Sequence, residues 1–172
     1  MDKINFKNKA GIKMDITLKK IEKEEQEILH NLMQFYIYDF SQFISSIELD
    51  VDGKYKPFEL DAYWSDPSRA AYFIKINTQL AGFVLLSKNL SDIYHIEEFF
   101  VMRKYNGKGI GKSAALQIFD MYRGKWEITQ VERNYPAQAF WRSIIKSYTT
   151  DNFTERYDDK HHSIQMFNNS DY

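Results

Sequence analysis

The spacing of apolar residues changes several times along the chain, and each change predicts a different element. Residues 15–19 alternate between polar and apolar, which predicts a half-buried strand. Apolar side chains recur every three or four residues across 24–40 and predict an amphipathic helix with an acidic first turn. Runs of aromatic and β-branched residues predict strands at 71–76, 80–86 and 93–102, the first two joined by a hairpin turn.

Strands and helices alternate in the second half of the chain as well. The elements predicted there, in order, are a helix at 110–122 after a glycine-rich turn, a strand at 126–131, a helix at 134–148, and strands at 150–156 and 163–167. A further short helix is predicted at 58–63. The order β-α-(α)-β-β-β-α-β-α-β-β predicts an α/β or α+β sandwich with a mixed sheet.

Composition narrows the possible functions without naming one. The net charge is only −1, which removes the electrostatic argument for a nucleic-acid or membrane-surface protein. The absence of cysteine excludes disulfides, thiolate metal sites and cysteine nucleophiles. No apolar run approaches the roughly 20 residues of a membrane span, and the N-terminal residues lack the apolar stretch of a secretory signal. We therefore expect a cytoplasmic protein.

The chain length of 172 residues fits one domain of ordinary size. Residues 1–13 carry no periodicity, so we expect them to form a flexible leader before a single domain at 14–172. Met14 stands at the start of the first predicted strand and is a candidate for the true start of the protein.

The most informative segment is the turn at 103–113, where a strand leads into glycines at alternate positions that open a helix. Glycine lets the backbone approach a phosphate closely, and the free N–H groups of a helix start bind anions. Lys108 and Lys112 add positive charge. The turn therefore indicates a phosphate-bearing ligand, although it could also serve only as a link between strand and helix.

Two nucleotide-binding motifs resemble this turn, and both fail. Gly111-Lys112-Ser113 matches the end of a P-loop, but Asn106 stands where that motif requires its first glycine. The dinucleotide fingerprint fails because Lys112 occupies its last glycine position.

The turn resembles instead the signature of the acetyltransferases related to the histone acetyltransferases, the GNAT superfamily. Val101 closes the strand, and Gly109 and Gly111 occupy the two signature glycine positions, while Asn106 replaces the usual Arg or Gln. Family members also carry Asn-x-x-Ala-x-x-apolar-aromatic on the next helix, a spacing matched here by four residues: Asn134, Ala137, Phe140 and Trp141.

The resemblance implies a mixed sheet of about six to seven strands with about four helices, splayed between the strands at 93–102 and 126–131. Acetyl-CoA as cosubstrate would occupy the gap, with its pantetheine arm paired to backbone at 99–101. Cofactor contacts are assigned to the strand end, the turn and the second helix: Phe99, Val101, Asn106, Gly107, Lys108, Gly109, Ile110, Gly111, Lys112, Ser113, Asn134 and Trp141. For Asn134 the alternative is a helix cap, and for Trp141 it is core packing.

Acetyl transfer requires a neutral amine, so a general base is useful. Relatives often carry that base on the strand before the glycine turn, where this chain offers His95, Glu97 and Glu98. Regular alternation would put His95 and Glu97 on one face with Phe99, whereas a bulge would favour Glu98. Glu97 and Glu98 rank equally and His95 follows, and any of them could instead be a solvated strand residue.

The sequence offers weaker candidates for the general acid that would protonate the departing thiolate. Many relatives carry a tyrosine acid where Trp141 stands, and indole is not a usable proton donor. Tyr135 or Tyr148 could substitute, or the thiolate could leave with help from water alone, since a free thiol has a pKa of about 8.5. Trp141 and Asn106, the two departures from the family pattern, favour an alternative function: a non-catalytic acetyl-CoA-binding sensor or interaction module.

The region between Asp39 and Asp66 corresponds to the part that lines the acceptor site in relatives. It holds two lysines, Lys54 and Lys56, and seven acids: Asp39, Glu48, Asp50, Asp52, Glu59, Asp61 and Asp66. Eight aromatic residues lie among them or just before them: Tyr36, Tyr38, Phe40, Phe43, Tyr55, Phe58, Tyr63 and Trp64. This composition predicts a cationic amine acceptor such as a polyamine, an aminoglycoside-like compound or a basic peptide end. An ordinary solvated acidic loop is the alternative.

The remaining partner predictions are brief. The adjacent pair His161-His162 would point to opposite faces of a strand, so no metal site is expected. Many members of the family pair, and the resemblance therefore implies a homodimer as one candidate assembly.

Overall fold

A computed structural model describes residues 6–7 and 13–171. The strands are β1 Phe6–Lys7, β2 Lys13–Met14, β3 Ile16–Lys20, β4 Arg69–Ile76, β5 Gln79–Lys88, β6 Ile93–Val101, β7 Lys125–Gln130, β8 Thr154–Tyr157 and β9 Ser163–Asn168. The α-helices are α1 Gln26–Phe40, α2 Ala62–Ser65, α3 Ile110–Met121 and α4 Tyr135–Tyr148, and short 3₁₀ turns cover Lys23–Glu25 and Arg103–Tyr105.

Most predicted elements lie within two residues of their observed bounds, and two do not. The short helix predicted at 58–63 is instead α2 at Ala62–Ser65, because the chain after Pro57 runs extended and inserts Leu60, only 2% exposed, into the core. The strand predicted from residue 150 begins at Thr154. Thr150 and Asp151 have φ of 52° and 68°, a left-handed conformation that ends α4 and cannot continue as strand.

The predicted leader falls mainly on residues 1–5 and 8–12, which lie outside the described part of the chain. Among the described residues of this region, β1 pairs antiparallel with β2, and Phe6 lies opposite Met14. The leader and the domain boundary at residue 14 both stay predictions.

Seven strands form one open mixed sheet in the order β3-β4-β5-β6-β7-β9-β8. Every neighbouring pair is antiparallel except β6–β7, which is parallel over three register pairs, from Ile93↔Lys125 to His95↔Glu127. Beyond these pairs the two strands diverge, while β6 continues to Val101. The mixed, splayed sheet that the sequence predicted is therefore confirmed.

Each face of the sheet is covered by its own core. On one face α1 packs through Leu29 and Met33 onto Phe73 and Phe83. On the other, α3 and α4 enclose an aromatic cluster in which Phe119 lies 5.0 Å from Trp126 and 4.9 Å from Phe167, measured between ring centroids. The two cores fix the helices against the strands that diverge, so the gap between the strands has rigid walls.

The last hairpin, β8–β9, is tied to α4 by a carboxylate. Glu155 accepts two hydrogen bonds from the Arg142 guanidinium, at 2.8 and 2.6 Å, and one from the Ser163 hydroxyl at 2.7 Å. These bonds hold the pKa of Glu155 down, to about 2. Among the described residues, no helix is both long and apolar enough to cross a lipid bilayer.

We expect Glu155→Gln to lower the free energy of unfolding by about 2 kcal/mol at pH 7, because it removes the charge that Arg142 binds. The folded-state pKa lies below the ordinary value of 4.5, so this stabilisation is complete above pH 4.5 and is lost as the pH falls toward 2. Urea denaturation of both proteins between pH 7 and pH 3 should show the difference shrinking.

The matched control is Asp151→Asn. It breaks the exposed ion pair, 3.4 Å long, between Asp151 and Lys146, which lies on α4 as Arg142 does. An exposed pair contributes little, and we expect less than about 0.5 kcal/mol. A pH-independent difference for Glu155→Gln would contradict the charge-based account.

Candidate active site

The divergence of β6 and β7 opens a gap that contains two adjoining cavities. The glycine-turn cavity, about 690 Å³, is lined among others by Asn106, Gly107, Gly109, Ile110, Gly111 and Lys112. The carboxylate cavity, about 560 Å³, is lined among others by Glu48, Lys56, Glu97 and Glu98. Six residues line both cavities and mark their junction: Tyr36, Phe40, Phe99, Asn134, Ala137 and Trp141.

The start of α3 forms the floor of the glycine-turn cavity. Gly109 is the N-cap residue with φ of 75°, a conformation that glycine adopts without strain, and no described side chain caps the helix. Its first N–H groups are thus not satisfied by a capping side chain and can bind an anion. A Cβ on Gly111 would lie 3.1 Å from the Phe140 ring, so the wall also depends on a residue without a side chain.

Two of the predicted turn contacts do not reach this cavity. Ser113 is only 4% exposed; its N–H donates to the Gly109 carbonyl, and its hydroxyl accepts from Gln117 at 3.2 Å. The ammonium of Lys108 lies over the Tyr105 ring, 5.6 Å from its centroid. The other predicted turn residues, together with Phe99 and Val101 at the strand end, line the cavity.

Positive charge in the glycine-turn cavity comes from Lys112 and from Arg103, which the sequence analysis did not single out. Arg103 donates to Asp39 at 2.7 Å and thereby joins the end of α1 to the glycine turn. The pair leaves one net positive charge, on Lys112, in the cavity wall. Such a wall suits a phosphate-bearing ligand.

A β-bulge in β6 sets the direction of the two glutamates. Leu85 of β5 is opposite Glu98 and Leu86 is opposite Ile96, which leaves Glu97 as the extra residue. Glu97 consequently accepts a hydrogen bond from the Ser87 hydroxyl, and Glu98 accepts one from the Tyr36 hydroxyl of α1. Both carboxylates line the carboxylate cavity.

Glu98 is the more perturbed of the two. Its pKa is raised to about 7: burial raises it most, the hydrogen bond from Tyr36 lowers it, and the neighbouring Glu97 charge raises it. A carboxylate with a pKa near neutrality is a stronger base than an ordinary glutamate and is still partly ionised at pH 7.

His95 lies in the closed part of the sheet, where β6 still pairs with β7. It is opposite Ser87 on one side and Glu127 on the other, and its Nε2 lies 3.1 Å from Asn89 Nδ2. It lines neither cavity. The structure therefore separates His95 from Glu97 and Glu98.

Trp141 occupies the junction of the cavities. It is 5% exposed, and its ring lies 5.0 Å from those of Phe99 and Phe140. Trp141 is thus packed in the core and also lines both cavities, while its contact with the cofactor stays a prediction. The side chain of Asn134 accepts from Ala137 N at 3.2 Å as the α4 cap and also lines both cavities.

The two candidate tyrosines for the thiolate are not brought to the site. Tyr148 lies at the far end of α4, where its hydroxyl donates to Asp120 at 3.0 Å and accepts from Arg123 at 2.8 Å. Tyr135 is 67% exposed, and neither residue lines a cavity.

The acidic region between Asp39 and Asp66 contributes less charge to the site than its composition indicates. Only Asp39 and Glu48 line a cavity, while Asp61 pairs with Lys23 and Asp66 binds Ser68. Asp61 and Asp66 are both exposed and bind these partners at the surface, away from the gap. Of the eight aromatic residues named with this region, four line the carboxylate cavity, in addition to Phe99 and Trp141: Tyr36, Phe40, Tyr55 and Phe58.

Four lining residues that the sequence analysis did not assign to the site follow the last β6–β7 register pair: Ile128, Thr129 and Gln130 on β7, and Val131 directly after it. A strand that diverges from its neighbour exposes its inner edge to the gap. The splay implied by the family resemblance could therefore have identified these residues. Among the described residues, no group of three or more His, Asp or Glu could hold a metal ion. His162 pairs instead with Asp158 at 3.0 Å.

Comparisons with known proteins agree with this geometry. The PaiA N-acetyltransferase of Thermoplasma acidophilum, solved with coenzyme A, is 14% identical with a TM-score of 0.63, covering 90% of this chain and 99% of that one. An acetyltransferase from Thermus thermophilus is 15% identical with a TM-score of 0.61, covering 88% of this chain and 94% of that one. A spermidine N-acetyltransferase SpeG chimera, from Vibrio cholerae and hSSAT, is 14% identical with a TM-score of 0.58, covering 90% and 95%.

Identities this low compare folds and not activities, and no curated protein matches the sequence. The family itself follows from the sequence match. A model of the Acetyltransferase (GNAT) family matches residues 30–144, which include most of α1, the divergent strands and the glycine turn. Because this match covers more than half of the chain, the protein belongs to the GNAT acetyltransferase family.

Proposed function

We propose that this protein is an N-acetyltransferase that moves the acetyl group of acetyl-CoA to a primary amine, with Glu98 as the general base. GNAT acetyltransferases use acetyl-CoA, and one structural neighbour was solved with coenzyme A. The observation that carries the proposal is the position of Glu98. It lies in the cavity that adjoins the glycine turn, and its pKa is about 7.

The glycine-turn cavity supports the cofactor assignment. Acetyl-CoA carries several phosphates, and the uncapped start of α3 and the Lys112 ammonium offer N–H donors and positive charge to them. Phe99 and Val101 at the end of β6 line the same cavity and would flank the pantetheine arm, while Trp141 would pack against it at the junction. The hydrogen-bond donors and the apolar lining of this cavity therefore fit a thioester that carries phosphates.

Glu98 and water together would carry out the proton transfers. An alkyl amine is protonated at pH 7, and Glu98 as carboxylate takes one of its protons so that the nitrogen can attack the thioester carbonyl. A backbone N–H near Val101 would polarise that carbonyl. The C–S bond would then break, the former amine nitrogen would release its second proton to water, and the thiolate would take up a proton from water, since Trp141 cannot donate one and a thiol pKa of about 8.5 makes the thiolate a tolerable leaving group.

The carboxylate cavity supports a cationic acceptor. Glu48, Glu97 and Glu98 outnumber Lys56 in its lining, and aromatic rings of α1 and of the following loop form its walls. The names of two structural neighbours describe one as a spermidine N-acetyltransferase and the other as a streptothricin acetyltransferase. A polyamine, an aminoglycoside-like compound or a basic peptide end would fit this lining.

Lys112→Ala should weaken coenzyme A binding about tenfold, because it removes the net positive charge of the glycine-turn cavity. Calorimetric titration measures the affinity, and the rise of Tm with acetyl-CoA, compared with ATP and NADH, measures selectivity. Lys104→Ala is the matched control, since Lys104 lines neither cavity and its ammonium lies over the Tyr105 ring, 4.7 Å from the centroid. If the two variants bound coenzyme A with equal affinity, Lys112 would have no specific role in binding it.

Glu98→Gln should lower kcat at least about 100-fold at pH 7.5 while leaving coenzyme A affinity unchanged, because it removes the base and not a cofactor contact. Thiol release in the presence of an amine panel measures the rate. Glu97→Gln is the paired variant, and we expect less than about a fivefold loss from it.

The paired glutamates also separate the alternatives. A larger loss for Glu97→Gln would transfer the base role to Glu97. If the wild-type protein bound coenzyme A tightly but released no thiol with any amine, the protein would be a binding module and not an enzyme.

Among acceptors of similar size, we expect polycations to have the highest kcat/KM and anionic amines the lowest, because Glu48, Glu97 and Glu98 attract positive charge. Glu48→Gln should raise KM for a polycation several-fold and leave KM for a neutral amine unchanged. A panel in which neutral or anionic amines exceed every polycation would exclude the cationic class.

A further inference from the structure

One contact joins the helix that lines the acceptor side to the strand that carries the glutamates. The hydroxyl of Tyr36 on α1 donates a hydrogen bond to Glu98 Oε2 on β6. Tyr36 lines both cavities, whereas Glu98 lines only the carboxylate cavity. The bond therefore lies at the junction, where an acetyl donor and an amine acceptor would have to meet.

The Tyr36 ring is held firmly by its surroundings. The residue is 6% exposed, and its ring centroid lies 4.7 Å from that of Phe40, 5.7 Å from Phe83 and 6.1 Å from Phe100. These rings belong to α1, β5 and β6, so the phenol is fixed from three elements. A donor fixed by packing holds its acceptor in one orientation without losing further entropy when the reaction begins.

The phenol is not suited to donate its proton to the thiolate. Burial and the negative charge of Glu98 raise the pKa of Tyr36 above its ordinary value of 10. A free thiol has a pKa of about 8.5, so proton transfer from Tyr36 to the thiolate would be uphill. The hydroxyl therefore acts on Glu98.

The direction of that action follows from electrostatics. Burial favours the neutral form of Glu98, and a hydroxyl that donates to the carboxylate favours the ionised form. Among the described residues, the other charged or titratable groups near Glu98 are Glu97 of β6, Tyr63 of α2, and Glu48, Tyr55 and Lys56 in the cavity lining. Leu85, which is opposite Glu98 on β5, carries no charge.

We propose that Tyr36 is the positioning residue of the site, holding the Glu98 carboxylate ionised and oriented at the junction of the two cavities. The inference rests on the proposed role of Glu98 as the base. It assigns a function to a residue on α1, outside the glycine-turn and second-helix motifs by which the sequence resembles its family.

The test is Tyr36→Phe, which keeps the ring and removes only the hydroxyl. Loss of a donor to a carboxylate should raise the Glu98 pKa by about one unit. The first readout is a carbon-13 titration of labelled glutamate carboxyls in the full chain, with the Glu98 signal assigned by its absence from Glu98→Gln. This readout does not depend on any activity.

The second readout is the pH profile of kcat/KM with one acceptor. Tyr36→Phe should move the acid limb upward by the same one unit, with several-fold loss at pH 6.5 and near wild-type rates at pH 9. The acceptor titrates identically in every variant and cancels from the comparison. Tyr38→Phe is the matched control, since Tyr38 lies two residues along α1, is 61% exposed and lines neither cavity.

The outcomes separate the possible failures. An upward shift of both the titration and the acid limb in Tyr36→Phe, with none in Tyr38→Phe, supports the proposal. An unchanged Glu98 titration, or a loss of rate equal at every pH, would give Tyr36 a purely packing role and overturn it. If the wild-type protein acetylated no amine, the proposed function would fail, while the carboxyl titration would still decide whether Tyr36 holds Glu98 ionised.

Discussion

β6 and β7 run parallel for only three register pairs, ending at His95↔Glu127, and the rest of the site depends on their divergence. Beyond that point the backbone of β6 is no longer paired on the β7 side, so its polar groups face the gap. The same divergence exposes the inner edge of β7 and lets the start of α3 face the opening.

The bulge in β6 is the second constraint. By adding Glu97 between the residues opposite Leu85 and Leu86, it turns two consecutive carboxylates toward the same cavity. Two carboxylates side by side in a partly apolar wall disfavour each other's charge. The hydroxyls of Ser87 and Tyr36 offset this cost, one for each carboxylate, without adding a positive charge that would repel a cationic acceptor.

Local patterns were enough to predict most of the fold and half of the site. The alternation and the helical periodicity gave the strand and helix order, because those periods report directly which side of each element is buried. The glycine turn was equally accessible, since Gly109 requires a left-handed φ and Gly111 a missing side chain, both demands on a single position. The composition of the acidic stretch after α1 does not show which of its charges reach the cavities, because partners far away in the chain, such as Lys23 for Asp61, decide it.

The sequence by itself therefore determined the elements, the family and the glycine turn, which depend on residues close together in the chain. The tertiary structure decided which glutamate is buried, that His95 and Tyr148 lie outside the cavities, and that Tyr36 reaches Glu98 across 62 positions. These outcomes depend on a bulge that shifts strand register and on how α1 packs against the sheet. Such features follow from the balance of many weak contacts, and no local pattern of polar and apolar residues specifies them.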